Sequence, residues 1–200
     1  MVRIACLLPF FTSDSKNFLN GKLWCFRNCT GLESVTIGSG VTTIGQSAFR
    51  NCTGLESVTI GSGVTTIDNY AFSGCSGLTS VTIPNSVTTI GEQAFYGCVG
   101  LTSVTIPDSV TSIGSGAFYG CVGLTSVTIG NGVTTIGGGA FRYCTGLTSV
   151  TCEATTPPTL GSYALTIMNN CSIYVPAASV DTYKAASGWD VYASRIQAIQ

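Results

Sequence analysis

A repeat of 23 residues fills most of this chain of 200 residues. Leucine and cysteine each return once per repeat, without a slip in register. The leucines are Leu32, Leu55, Leu78, Leu101, Leu124 and Leu147, and the cysteines are Cys29, Cys52, Cys75, Cys98, Cys121 and Cys144. A fixed period of about 20 to 50 residues is typical of a solenoid, a propeller or an array. The repeat also argues against an enzyme, because catalytic sites are built from unique residues.

The copy that begins at Leu101 shows why such a unit folds. Val104 and Ile106 alternate with Ser103 and Thr105. Period-two alternation of β-branched residues predicts a half-buried strand. We expect the leucine, valine and isoleucine to point into a core and the two hydroxyl residues to point outward.

The rest of the copy predicts a turn and two further pieces. Residues 107–109 combine Pro, Asp and Ser, which favour a turn. Val110 and Ile113 follow as an apolar pair on a short extended stretch. The pattern Ala-Phe-x-x-Cys that ends at Cys121 suggests one helical turn, and Gly123 is expected to end that turn in the left-handed conformation.

One copy cannot bury its own apolar side, so copies must stack into continuous columns. The aromatic column is expected to contribute most to this core and not to form a ligand site. Its members are Phe49, Phe72, Phe95, Phe118 and Phe141. The sequence therefore predicts a repeat solenoid with a parallel β-sheet on one face and short helical turns or extended segments on the other.

Composition excludes several classes of function. Only 8% of the residues are charged and the net charge is −1, so the basic face that nucleic-acid binding needs is missing. No apolar run is long enough to span a membrane. The chain has no histidine, and we expect no metal and no cofactor. The cysteine column is interpreted as a ladder of buried thiols, although neighbouring copies would also lie within disulfide range in an oxidising compartment.

The pattern divides the chain into three parts. Residues 25–151 form the solenoid, which the chain enters in mid-repeat. Residues 1–24 are expected to be an irregular segment or weak cap, and the apolar stretch at 4–11 also faintly resembles an export signal. Residues 152–200 are expected to cap the open end of the core with a strand and a short helix.

The repeat unit V-T-I-P-x-S-V-T-x-I-G-x-x-A-F-x-x-C resembles the BspA-type leucine-rich repeats of bacterial surface proteins and some parasitic protists. The likeness runs from Cys25 to Thr151, and residues 173–199 are similar to the closing segment of such bacterial proteins. The resemblance implies a right-handed solenoid, surface display or secretion, and adhesion to proteins such as those of the host matrix. It carries over no catalytic residue.

Two surfaces are candidates for binding a protein partner. The first is the outward face of the strands, a neutral array of hydroxyl rows at the strand spacing of about 4.8 Å. Its candidate residues are Ser57, Thr59, Ser80, Thr82, Ser103, Thr105, Ser126 and Thr128. The second lies on the side of the predicted helical turns, which we call the turn side, and contains residue types that dominate interface hot spots. Its candidate residues are Arg50, Tyr96, Tyr119, Arg142 and Tyr143.

The sequence favours a non-enzymatic, monomeric, protein-binding scaffold at the cell surface or outside the cell. The alternatives are a spacer without its own ligand, or binding of ice or a crystalline polysaccharide through the hydroxyl rows. For the turn-side residues, packing between neighbouring turns is the alternative interpretation. The partner itself cannot be derived from the sequence.

Overall fold

The computed structural model describes residues 26–165 and 171–200, together with two short strands at 18–19 and 22–23. The chain winds into a β-solenoid of about seven turns, which confirms the predicted repeat solenoid. We call one turn of the solenoid a coil. The apolar stretch at 4–11, considered above as an export signal, lies outside the described residues.

The strand predicted after each leucine is present in every described coil, and these strands form the front face of the solenoid. Along the strand that begins at Ser103, exposed and buried residues alternate as predicted. Equivalent residues stand opposite one another, so that Ser126 pairs with Ser103 and with Ser149. The front strands are Ser34–Ile37, Ser57–Ile60, Ser80–Val81, Ser103–Ile106, Ser126–Ile129, Ser149–Cys152 and Ser172–Val175.

The front face is two sheets and not one. The first three front strands form one sheet, and the later four, with the C-terminal strand Ile196–Ala198, form another. In later coils the ladder continues past the strand, as where the N–H of Gly130 donates to the carbonyl of Ile106 at 2.8 Å. The equivalent residues in the two coils at the break are Pro84 and Pro107, which have no N–H to donate. Pro107 removes the bond that would reach Ile83 across the break, and Pro84 removes the one to Ile60, next to the front strand Ser80–Val81, which is only two residues long.

The apolar pair after the turn lies on a second sheet, which we call the side sheet. It has eight strands. Its first two strands, Phe18–Leu19 and Lys22–Leu23, pair with each other in antiparallel fashion. Lys22–Leu23 also pairs in parallel with the next side-sheet strand, Thr43–Ile44. The members are Phe18–Leu19, Lys22–Leu23, Thr43–Ile44, Thr66–Ile67, Thr89–Ile90, Ser112–Ile113, Thr135–Ile136 and Thr159–Leu160.

The helical turn expected to end at Cys121 is instead a series of tight turns, which form the turn side of the solenoid. Within the coil, the N–H of Tyr119 donates to Gly116 and that of Cys121 donates to Phe118, each three residues back. The N–H groups of Phe118 and Gly120, on either side of Tyr119, instead donate to Ala140 and Arg142 of the next coil, both at 2.8 Å. A helix would direct every N–H along its own axis, so the alternation that joins coil to coil excludes a helix.

Gly123 was predicted to end the turn with a left-handed backbone, and this prediction is wrong. The left-handed residues of this coil are Gly116 at φ 62° and Gly120 at φ 71°. Gly123 is required by space, because a Cβ there would lie 2.4 Å from the carbonyl oxygen of Val99 in the preceding coil. The glycine that precedes the leucine in each coil from Gly54 to Gly146 therefore permits close approach of two backbones.

The aromatic column forms the centre of the core, as predicted. Phe49, Phe72, Phe95, Phe118 and Phe141 are fully buried. Successive rings, beginning with Phe26, stack nearly parallel with centroids 5.1–5.3 Å apart. Offset parallel stacking is a favoured geometry for aromatic pairs.

The cysteine column is a ladder of buried thiols with one exception. Cys52, Cys75, Cys98, Cys121 and Cys144 are free and buried. Cys29, at the first rung, is disulfide-bonded, so the prediction of a free thiol is wrong there. Cys152 and Cys171, near the C-terminus, are also free and buried.

The C-terminal residues cover the last coil of the core. After the front strand that begins at Ser172 come a 3-10 turn Ala177–Ser179, a helix Val180–Ala185 and a 3-10 helix Asp190–Arg195. Tyr183 and Trp189 are fully buried with their rings edge to face at 4.9 Å. The Tyr183 hydroxyl and the Trp189 Nε1–H donate to carbonyl oxygens of Ala154 and Pro158, both at 2.8 Å.

Candidate binding surfaces

The front-face hydroxyl rows are exposed and stand in register. Ser57, Thr59, Ser80, Thr82, Ser103 and Thr105 are exposed, and Ser126 and Thr128 are half-buried. Within the described part of the chain, none of these hydroxyls makes a hydrogen bond to a protein group. Their donors and acceptors are therefore available to water or to a partner. The proline break divides the rows, because it falls between the coil of Ser80 and that of Ser103.

A neighbouring row of threonines behaves differently. The hydroxyl of Thr102 donates to the carbonyl of Thr79, and that of Thr125 donates in turn to Thr102 at 3.0 Å. A similar ladder runs along the other edge, where the hydroxyl of Thr88 donates to Thr65. These hydroxyls join coil to coil and are not free for a ligand. The two kinds of row look alike in the sequence, because each contributes one hydroxyl residue per period.

The turn side brings four of its five candidate residues into one cluster. The rings of Tyr96 and Tyr119 stack 5.0 Å apart, and Tyr143 meets Tyr119 edge to face at 5.0 Å. The guanidinium of Arg142 lies over the Tyr143 ring at 4.9 Å and over the Tyr163 ring at 5.1 Å. Arg142 also donates to the Tyr143 hydroxyl at 3.2 Å. Loss of hydration, helped by Tyr143, raises the pKa of the Tyr119 hydroxyl.

The fifth candidate, Arg50, lies apart from this cluster. Its guanidinium stacks over the ring of Tyr70 at 5.4 Å. The Nε atoms of Arg50 and Arg142 are both buried and have no hydrogen-bond partner among the described residues. Arg50 therefore repeats the stacking of Arg142 at a different place on the solenoid, without the tyrosine cluster.

Three tyrosines of the turn side have left-handed backbones. Tyr70, Tyr143 and Tyr163 have φ angles of 59°, 62° and 62°. A bulky residue there is unusual and costs about 1–3 kcal/mol. In the five preceding described coils, the position of Tyr143 is occupied by Asn28, Asn51, Gly74, Gly97 and Gly120. Tyr70 and Tyr163 were not identified from the sequence, because a tyrosine gives no sign of a left-handed backbone.

A groove of about 460 Å³ lies beside the tyrosine cluster. It follows one column of the turn side, at the left-handed position occupied successively by Gln93, Gly116, Gly139 and Tyr163. The two glycines leave a gap that is two coils long, and Gln93 and Tyr163 close its ends. Tyr119 and Arg142 stand along one wall.

The thiol ladder offers no reactive site. Burial raises the pKa of Cys52 to about 11 and, with the neighbouring Cys52, that of Cys75 to about 12. Burial likewise raises the pKa of Cys144 to about 12. A protonated, buried thiol is a poor nucleophile and a poor metal ligand. Among the described residues, no group of three or more His, Cys, Asp or Glu could hold a metal ion.

The repeat can now be compared with known families. A model of the BspA type leucine rich repeat region matches six copies, over residues 22–125 and 70–184. The chain belongs to the BspA-type leucine-rich repeat family. The resemblance derived from the repeat unit is confirmed.

Solved structures of other leucine-rich repeat proteins share the fold. The chain is 35% identical to a leucine-rich repeat protein of T. pallidum, with a TM-score of 0.62 over 64% of this chain and 60% of that one. It is 30% identical to one from Bacteroides ovatus, with a TM-score of 0.67 over 75% and 41%. It is 29% identical to a leucine rich cell surface protein from Faecalibacterium prausnitzii, with a TM-score of 0.52 over 74% and 56%.

The BspA-type chain spans less than two thirds of each of these relatives. No functionally curated protein matches it. Within the described ranges, none of the helices has the length and apolar character that crossing a membrane requires.

Proposed function

We propose that this BspA-type chain is a non-enzymatic scaffold that binds a protein partner, at the cell surface or after secretion. The observation that carries the proposal is the front face, where exposed hydroxyls such as Ser103 and Thr105 make no hydrogen bond within the described chain. A polar, uncharged surface of this kind suits the polar rim and hydrogen bonds of a non-obligate protein interface.

The location and the partner class form the finer part of the proposal. The relative from Faecalibacterium prausnitzii is described as a cell surface protein, which supports display at the surface. We propose extracellular matrix proteins of a host as partners. Such proteins are large and repetitive, so a repeated front face could bind several of their segments at once and gain affinity from multivalency.

The test is a surface-plasmon-resonance screen of the purified chain against immobilised fibronectin, fibrinogen and collagen. Saturable binding should be lost in the double variant Ser103→Lys and Thr105→Lys, which places two long charged side chains on the front face. The matched control is Thr182→Lys with Ser187→Lys, which adds the same charge at exposed positions of the C-terminal cap.

The outcomes separate the proposal from its alternatives. Binding that survives the front-face variant would remove the front face as the site. No binding to any of the three proteins, nor to proteins displayed on a broader array, would overturn the scaffold proposal and leave a spacer.

A further inference from the structure

The groove on the turn side is closed at both ends by side chains. Gln93 and Tyr163 bound a gap over Gly116 and Gly139, and three coil steps separate the two ends. The gap between these end residues spans two coils, which at about 4.8 Å per coil is about 10 Å, or about three residues of extended peptide at 3.3 Å each. A Cβ placed on Gly139 would lie in ordinary van der Waals contact with the side chains of Tyr119 and Arg142, each at 3.8 Å, whereas one on Gly116 would lie 3.1 Å from Cγ of Gln93.

The groove is lined by hydrogen-bond donors and by one cation. Arg142 supplies the positive charge, and no aspartate or glutamate lines the groove. Within the described residues, no carboxylate pairs with Arg142. The rings of Tyr143 and Tyr163 hold the guanidinium of Arg142 in place. Its planar set of N–H donors matches the geometry of a carboxylate.

Backbone N–H groups of the groove lack protein acceptors. In the earlier coils of this column, the Oδ1 atom of Asn69 accepts the N–H of Glu92 at 2.8 Å. The equivalent N–H groups in the next three coils belong to Ser115, Gly138 and Ser162, all of which line the groove. Among the described residues, none of these three N–H groups has an acceptor. Among the described residues the N–H of Gln46, two coils before Glu92, also lacks an acceptor, so unsatisfied donors recur at this position, and those of Ser115, Gly138 and Ser162 are the three that line the groove.

We propose that this groove binds a carboxylate on an extended acidic segment of a protein partner, with Arg142 as its charged contact. This inference rests on the proposed scaffold function and assigns it a second site, on the turn side. The length of the groove and its row of backbone donors suit a peptide.

The experiment uses the full chain and a fluorescent library of acetylated, amidated hexapeptides with either Glu or Gln at a fixed central position. Fluorescence polarisation measures the affinity of each pool for the parent and for four variants. Gly139→Asn fills the groove, and its control is Gly120→Asn, a left-handed position with open space outside the groove. Arg142→Gln removes the charge, and its control is Arg50→Gln, which removes an arginine that is stacked on a tyrosine ring outside the groove.

We expect the Glu pools to bind the parent and both controls, and the matched Gln pools to bind about tenfold more weakly or worse, as for loss of a charge-assisted hydrogen bond. Gly139→Asn and Arg142→Gln should each bind the Glu pools about tenfold more weakly than the parent does. Their melting temperatures should stay close to those of the control variants. A hyaluronan hexasaccharide, which offers carboxylates without a peptide, serves as a competing probe.

Three results would overturn the inference. These are equal affinity for Glu and Gln pools, unchanged affinity in both groove variants, or binding of the hexasaccharide with no binding of any peptide pool. The proposed scaffold function is judged separately. If matrix-protein binding depends on Ser103 and Thr105 but not on Arg142, the scaffold stands and the groove does not.

Discussion

The thiol of Cys121 donates a hydrogen bond to the carbonyl oxygen of Phe95 in the preceding coil, with the sulfur 3.2 Å from the oxygen. The relationship repeats at each free rung, from Cys52 donating to Phe26 through to Cys144 donating to Phe118. Cysteine is thus both a small core residue and a donor that joins adjacent coils. Both roles require the protonated thiol.

The thiol ladder predicts alkaline destabilisation. Burial raises the pKa of Cys75 from its ordinary value of 9.0 to about 12. The folded chain therefore keeps protons that the unfolded chain releases, and the thiol's contribution is complete below pH 9 and lost as pH rises towards 12. We expect the free energy of unfolding to fall above about pH 9 by about 1.4 kcal/mol per pH unit for each such thiol.

Urea unfolding measured from neutral pH upward tests this expectation. The Cys75→Ala variant is the control, since it should be less stable at neutral pH but have a shallower decline on the alkaline side. A decline as steep as that of the parent would show that other groups are responsible.

The aromatic ladder predicts a large loss on truncation. Phe95 is fully buried and stacks on Phe72 at 5.3 Å and on Phe118 at 5.1 Å. Phe95→Ala should lower the free energy of unfolding by about 3–5 kcal/mol, because it opens a cavity in the centre of the solenoid. Phe95→Leu keeps much of the volume and should cost about 1–3 kcal/mol. Chemical denaturation measures both, and equal losses would contradict a dominant role for volume.

The close approach of coils predicts that one glycine position is intolerant of alanine. Gly123→Ala places a Cβ against the Val99 carbonyl oxygen and should destabilise the fold by about 1–3 kcal/mol or more. Gly31 occupies the same place in its coil, yet a Cβ there would meet no atom of the described residues within 4 Å. Gly31→Ala should therefore leave the melting temperature nearly unchanged. Equal melting temperatures for the two variants would refute the steric account.

The C-terminal cap predicts a local effect. Trp189→Phe keeps an aromatic ring in place but leaves the buried carbonyl of Pro158 without its donor, at a cost of about 1–3 kcal/mol. Hydrogen exchange should show faster exchange in the last coils and little change near Phe49. A uniform increase along the whole chain would indicate that the solenoid unfolds as one cooperative unit.

The sequence predicts the core and the strands well because both depend on short-range patterns. Val104 and Ile106 alternate with hydroxyl residues, and a single fixed period aligns every copy. The turn side was mispredicted as helical because apolar residues three or four positions apart, such as Phe118 and Cys121, suit a helix. The same spacing also suits consecutive tight turns. The difference lies in N–H groups that bond to the next coil, and single-coil spacing does not reveal them.

The turn-side surface was predicted in part for a similar reason. Tyr96 and Tyr119 are one period apart, so their proximity follows from the repeat. Tyr163 follows Gly139 by 24 residues, one more than the period, and its left-handed backbone is unusual for a tyrosine. The groove depends on glycines that appear in sequence as ordinary turn residues.

Gly116 and Gly139, which open the groove, occupy the same position in two successive coils, and this has a genetic consequence. Tandem units of nearly identical sequence recombine unequally, so whole coils can be gained or lost while the remaining interfaces stay intact. A duplication of the coil that carries Gly139 would lengthen the groove by one step without disturbing Gln93 or Tyr163 at its ends. Copy number would then set how long a ligand the protein can accommodate, and descendants of one gene could diverge in specificity without a single point mutation.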